Sequence, residues 1–219
     1  MFSEKELLLS IEKQLKLGHT SFKIKVGKEN EDEDIARVKA IRNLIGYDMK
    51  FAVDANMIWS VEQSIRMAKK LEEYELFWLE EPTNLDDYLG YAKIANSTTI
   101  PIAMGENLHS KYEHTLALDI ANVKEIIPDC SNVCGITGVF DVANLANDRK
   151  LRVNSHVAQE IHKNILGAVN NAGMVECHSF PIYQYTVEGI TINNGYVEPS
   201  KSIGVGVEFD WKKLDKFKL

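Results

Sequence analysis

At 219 residues, 45% hydrophobic and 26% charged, the chain has the composition of an ordinary globular protein with one large core. A formal charge of −7, with lysines interleaved among acids, leaves no basic footprint for nucleic acid. No apolar run approaches the roughly 20 residues of a membrane span, and Glu4, Lys5 and Glu6 fall where a signal peptide would be apolar. These features exclude a membrane partner and point to the cytoplasm.

In chain order, Glu4, Leu7, Leu8, Ile11 and Leu15 recur at helical spacing over Ser3–Leu17. Seven short apolar runs bounded by polar or turn residues then read as strands: Ser21–Val26, Lys50–Val53, Phe77–Leu79, Thr99–Met104, Val123–Ile127, Leu151–Asn154 and Met174–Cys177. Between the first two, Ile35, Val38, Ile41, Leu44 and Ile45 mark a helix that Gly46 stops. Ser60 with Gln63, and Ser110 with Glu113, have capping-box spacing and open the helices after the second and fourth strands. Strand and helix therefore alternate through 1–219 without a linker, giving a single α/β domain with a parallel sheet. Cys130, Cys134 and Cys177 lack zinc-site spacing and read as reduced core thiols.

In a parallel α/β protein the chemistry gathers where strands end. Here the strand ends carry Lys23 and Lys25, Asp54, Glu80, Glu106, Asp129, His156 and Glu176. From Lys25 onward their separations are 29, 26, 26, 23, 27 and 20 residues, each one strand, one helix and two loops, which is the rhythm of a barrel. Lys23 and Lys25, two apart on a strand, face one side, and their mutual repulsion should ease deprotonation of one as a general base. Asp54, Glu80 and Glu106, on three consecutive strands, form an oxygen-only set suited to Mg²⁺. Asp129 and His156, one βα unit apart, should neighbour each other, the carboxylate fixing the imidazole.

Lys23-Ile-Lys25, Val53-Asp54-Ala-Asn56, Trp78-Leu-Glu80-Glu81-Pro82, Met104-Gly105-Glu106-Asn107, Pro128-Asp129 and Ser155-His156 resemble the mandelate racemase subgroup of the enolase superfamily, from about Gly18 to Gly206. The resemblance implies a (β/α) TIM-type barrel in which Asp54, Glu80 and Glu106 hold Mg²⁺. It also implies that Lys25, tuned by Lys23, and the His156–Asp129 dyad work from opposite faces. Glu176 is implied to hydrogen-bond the substrate carboxylate and Asn56 to touch substrate. The implied reaction removes the proton α to the carboxylate of a hydroxy acid or acid sugar. Dehydration of an acid sugar is favoured over racemisation, epimerisation or lactone cycloisomerisation.

Against that family, the helix over Ser3–Leu17 corresponds to the one after the first barrel strand, so the first barrel strand and the N-terminal α+β capping domain are expected to lie outside this chain. The expectation is a piece of a longer protein, homo-oligomeric at full length. Its rival is an inactive barrel remnant that keeps the metal site. Met57, Trp59, Leu108 and His109, which flank the site, are candidates equally for pocket walls and for packing.

Overall fold

A computed structural model describes residues 2–178 and 181–218. The first helix, α1 (Glu4–Lys16), opens on a complete capping box between Ser3 and Glu6. Strand β1 (Ser21–Lys25) leads to α2 (Glu31–Ile45), capped by Asn30 and ended at Gly46, whose φ of 72° lies in the left-handed region. Next come β2 (Lys50–Asp54), α3 (Val61–Leu71) capped by Ser60, β3 (Leu79–Glu80), and α4 (Tyr88–Ala95) capped by Asp87. They are followed by β4 (Ile102–Met104), α5 (Lys111–Asp119) with the Ser110–Glu113 capping box, and β5 (Glu125–Ile126). The expected helix starts at Ser60 and Ser110 are thus found, although at Ser60 only the Gln63 N–H is bound and the box is not reciprocated.

The five strands form one parallel sheet in sequential order. Two further expected strands are not regular. Leu151–Asn154 contributes a single parallel bridge, Val153 with Ile126, and the next row touches it through Ala172, just before Met174–Cys177. Side chains take over from the ladder: Asn154 Oδ1 accepts from the Met174 N–H at 2.8 Å, and Ser155 Oγ from the Glu176 N–H at 3.0 Å. Helices α6 (Gly135–Asp148) and α7 (Gln159–Leu166) follow β5 and the sixth row. The tail adds an unforeseen antiparallel hairpin, β6 (Ile192–Asn193) with β7 (Tyr196–Val197), and a short α8 (Trp211–Leu214).

Period-two alternation divides the sheet's residues between two cores. Phe22, Ile24, Phe51, Val53, Leu79, Ile102, Met104 and Ile126 belong to the main core with the helices. Ala52, Trp78, Ala103 and Ile127 form a separate cluster on the inner face, joined by Phe77 and Met174. Small alanines leave room for the Trp78 ring, whose Nε1–H donates to Glu80 at 2.8 Å. The rows curl until first and last face each other: Lys23 Nζ on β1 lies 3.0 Å from the Glu176 carboxylate. This is the (β/α) barrel arrangement.

Among the described residues β1 has one strand partner, β2. On its other side lies a cavity of about 720 Å³, bordered by Thr20, Phe22 and Lys23 and by Ala172, Met174 and Glu176. No helix of the described residues is long and apolar enough to cross a membrane. The cysteines are free, but only Cys130 is a core thiol; Cys177 is half-buried and Cys134 exposed, because Cys134 sits at a left-handed turn that starts α6 on the surface.

Candidate active site at the barrel rim

The strand register sets the first half of the site. Lys25 pairs with Asp54, and Asp54 with Glu80, so three charged side chains leave the sheet on one face at one level. Glu106 follows β4 by two residues, across Gly105. That glycine has φ of 142°, and a Cβ there would stand 2.9 Å from the Ile127 backbone, so the chain can turn here only without a side chain. Oxygen atoms of Asp54, Glu80 and Glu106 lie within 4.8 Å of one another, and all three residues are buried.

Three carboxylates this close are costly without a cation. Burial pushes Glu80 upward from the ordinary carboxylate range, with Asp54 and Glu106 adding to the shift against the attraction of Lys23. Glu106 is raised as well, by burial and by Glu81, against His156. Its Oε2 is buried and accepts no well-aligned hydrogen bond among the described residues, with His156 Nε2 3.2 Å away. Clustered hard oxygens, raised proton affinity and an orphaned acceptor are what a divalent cation site requires, and these residues fit Mg²⁺.

At one end of this arc the Lys25 ammonium contacts Asp54. Lys23 lies deeper, 2.7 Å from Glu80, 3.0 Å from Glu176 and 3.9 Å from Asp54. Burial disfavours its charge, but those carboxylates outweigh burial and hold it well above the ordinary lysine range. Lys23 is therefore the member of the lysine pair that keeps its proton, because three anions face it. At the other end His156 spans two carboxylates, Nδ1 2.9 Å from Asp129 and Nε2 3.2 Å from Glu106. Burial lowers its proton affinity, but the Asp129 hydrogen bond and the charges of Glu106 and Glu176 raise it above the usual histidine value.

Asp129 is oriented in turn by the N–H and hydroxyl of Ser131, at 2.7 and 2.6 Å, and is held at about 2: burial works against this and the His156 and Ser131 hydrogen bonds win. Glu176 accepts from the Val157 N–H at 3.0 Å. Val157 and Ala158 both have positive φ, 47° and 38°, a strain at this rim that the surrounding contacts maintain. The structure thus gathers Lys23, Lys25, Asp54, Glu80, Glu106, Asp129, His156 and Glu176 along one rim. Asn56 stands exposed beside them; its backbone N–H caps Asp54 at 2.8 Å. Of the four residues weighed as pocket walls or packing, Trp59 and Leu108 are packed in the main core, while Met57 is half-buried and His109 exposed.

Three supports had no counterpart in the expectations. Asn107 donates to both oxygens of buried Glu81, at 3.1 and 2.9 Å, beside Glu106; burial pushes Glu81 up to about 7. His162, fully buried, accepts the Cys130 N–H at 3.1 Å and so pins the segment that carries Asp129. Asp34 and Arg37 form a buried pair behind Lys25. A signal did exist, since Asp34, Arg37 and His162 interrupt the apolar stripes of α2 and α7.

A family model described as enolase C-terminal domain-like matches residues 6–213. The 3,6-anhydro-alpha-L-galactonate cycloisomerase of Streptomyces coelicolor is 35% identical over 199 residues, covering 91% of this chain and 55% of that protein. A racemase from Streptomyces coelicolor A3(2), solved with bound magnesium, superposes with a TM-score of 0.94 at 32% identity, over 99% of this chain and 60% of that one. L-talarate dehydratase from Polaromonas sp. JS666, complexed with Mg and L-glucarate, gives a TM-score of 0.89 at 30% identity, over 95% and 58%. The chain thus spans little more than half the length of these relatives.

Proposed function

The chain belongs to the enolase C-terminal domain-like family, and from that premise we propose that it carries the proton-abstraction site of an acid-sugar dehydratase. The observation that carries this reading is the buried arc of Asp54, Glu80 and Glu106 with Lys25 at one end and His156 at the other. Asp54, Glu80 and Glu106 would hold Mg²⁺, which, when bound, supplies the positive charge that stabilises a second negative charge on a substrate carboxylate.

The chain's own residues divide the remaining work. Lys25, as the free amine, takes the α-proton and becomes an ammonium beside Asp54; the bonding pair moves toward the carboxylate and the substrate becomes an enediolate. That pair then forms the double bond to the β-carbon as the β-hydroxyl leaves. His156, set between Asp129 and Glu106, which favour its charged form, gives a proton as the imidazolium to the departing hydroxyl, which leaves as water. The enol left behind tautomerises to a 2-keto acid. Lys23 stays an ammonium, balancing the carboxylates beneath the reacting centre. Glu176, 3.0 Å from both the Lys23 ammonium and the Val157 N–H, stands on the side of the substrate carboxylate, and exposed Asn56 meets the substrate from the rim.

A second reading, cycloisomerisation, is favoured by the 35% identity to the galactonate cycloisomerase. It uses the same abstraction and loses no water. Proton NMR in D₂O with Mg²⁺ and a panel of acid sugars and anhydro acid sugars separates them. Dehydration gives a 2-keto acid, whereas conversion of the anhydro acid without loss of water would give the second reading. Mg²⁺ binding with neither exchange nor product would make the chain a barrel that keeps the metal site without turnover.

A further inference from the structure

Lys25 is the last residue of β1, and its side chain is half exposed, so packing around it does not fix its direction. The backbone beneath it is fixed instead by two charged residues of α2. Asp34 and Arg37 are buried, 0% and 4% exposed, with Arg37 Nη1 3.1 Å from Asp34 Oδ1. The same Nη1 donates to the Lys25 carbonyl at 3.0 Å. The other Asp34 oxygen accepts the N–H groups of Gly27 and Lys28, at 2.7 and 2.8 Å.

The Val26 N–H, between these, donates to the Asp54 carbonyl at 2.9 Å. Four consecutive residues are therefore tied, three of them to one buried ion pair. Gly27 completes the lock: its φ is 108°, and a Cβ there would stand 2.5 Å from Ile58, on the loop that follows Asp54. Burying two charges is costly, and an apolar pair of similar volume would serve packing as well. Their hydrogen bonds converge on the turn that aims one catalytic side chain.

We infer that Asp34 and Arg37 are positioning residues that set the direction from which Lys25 reaches the substrate's α-carbon. The inference rests on the reading of Lys25 and His156 as groups on opposite faces, and its test separates the two. Exchange of the α-proton with D₂O is measured in the presence of Mg²⁺ for both epimers of an acid sugar at the α-carbon, in Asp34→Asn, Arg37→Gln, Arg37→Lys and Lys25→Ala. A misplacement near 1 Å costs about a hundredfold, so Asp34→Asn and Arg37→Gln should lower kcat for exchange on the lysine face by about tenfold to a hundredfold, with KM little changed. Exchange on the histidine face, carried by the neutral fraction of His156, and Mg²⁺ affinity by calorimetry should hold, and Arg37→Lys should recover much of the loss.

Equal loss on both faces, or a parallel loss of Mg²⁺ affinity, would overturn the inference by reducing the pair to general structure. Lys25→Ala ending lysine-face exchange while Asp34→Asn and Arg37→Gln leave it intact would overturn the inference alone. Lys25→Ala leaving both faces intact would overturn the reading of Lys25 as a base, and the inference with it. Amide hydrogen exchange gives a readout independent of turnover. Protection at Gly27 and Lys28 should fall in Asp34→Asn while that of Asp54–Asn56 holds; unchanged protection at Gly27 and Lys28 would contradict the inference.

Discussion

The two sides of the rim are built differently. On the lysine side, from α1 to β5, every α-helix starts on a side-chain cap, Ser3, Asn30, Ser60, Asp87 or Ser110, and the strands pair in register. On the histidine side, α6 and α7 start at left-handed residues, Cys134 and Ala158, without a side-chain cap, and the sheet continues as single bridges. There side chains do the ladder's work. Asn154 ties Glu125 to Met174, Asn132 holds the Glu106 carbonyl, Gln159 holds the His178 N–H, and His162 holds Cys130. A regular strand delivers a side chain by periodicity; an irregular one needs a dedicated hydrogen bond for each residue it places. The histidine side should therefore be the more fragile to single substitutions.

Asp129→Asn should have the largest effect. It removes the charge that keeps His156 protonated, so turnover should fall by about 10²- to 10⁴-fold, the usual contribution of a general acid, and the pH above which activity declines should move down. Kinetics across pH check both; an unshifted alkaline limb would separate Asp129 from the acid. Asn154→Leu comes next. It leaves the Met174 N–H and the Glu125 carboxylate without their partner, at roughly 1–3 kcal/mol for each buried group, so denaturant unfolding should show a loss of about 2–6 kcal/mol.

A smaller, pH-dependent effect belongs to His162. Burial lowers it from 6.5 to about 4, against the attraction of Asp129, so it folds neutral. Its contribution is complete above pH 6.5 and is lost as pH falls toward 4, where the unfolded chain binds the extra proton. The total is on the order of 3 kcal/mol. His156, raised on folding, acts with the opposite sign, so the comparison is between wild type and His162→Gln. The variant should be flatter between pH 6.5 and 4, and an unchanged slope would reassign the effect. Smallest is Ser60→Ala on the lysine side, which loses one cap and should cost about 1 kcal/mol. A cost equal to that of Asn154→Leu would erase the contrast between the two sides.

The same contrast explains what could be read from the amino-acid order. Asp54 and Glu80 end apolar runs, and Glu106 follows one across Gly105, so period-two alternation and cap spacing reveal them before any coordinates exist. Asp129 and His156 are legible as polar residues after apolar runs and Glu176 as one within the last run, and the rim does gather them. Their strands were not legible as they are, because Leu151–Asn154 and Met174–Cys177 have strand composition while Asn154 and Ser155 take the hydrogen bonds a ladder would have used. Which lysine of the pair stays charged is something no pattern carries: Glu176, far along the chain, closes the ring and pairs with Lys23. Asp34, Arg37 and His162 look like ordinary breaks in amphipathic helices until burial and partners are known.

Calorimetric titration of Mg²⁺ into the wild-type chain and the Glu80→Gln variant tests the central claim most directly, since everything at the rim is arranged around the carboxylate arc. Saturable binding in the wild type, weakened at least about tenfold in the variant, is the predicted result. Equal affinity in the two proteins would contradict the account.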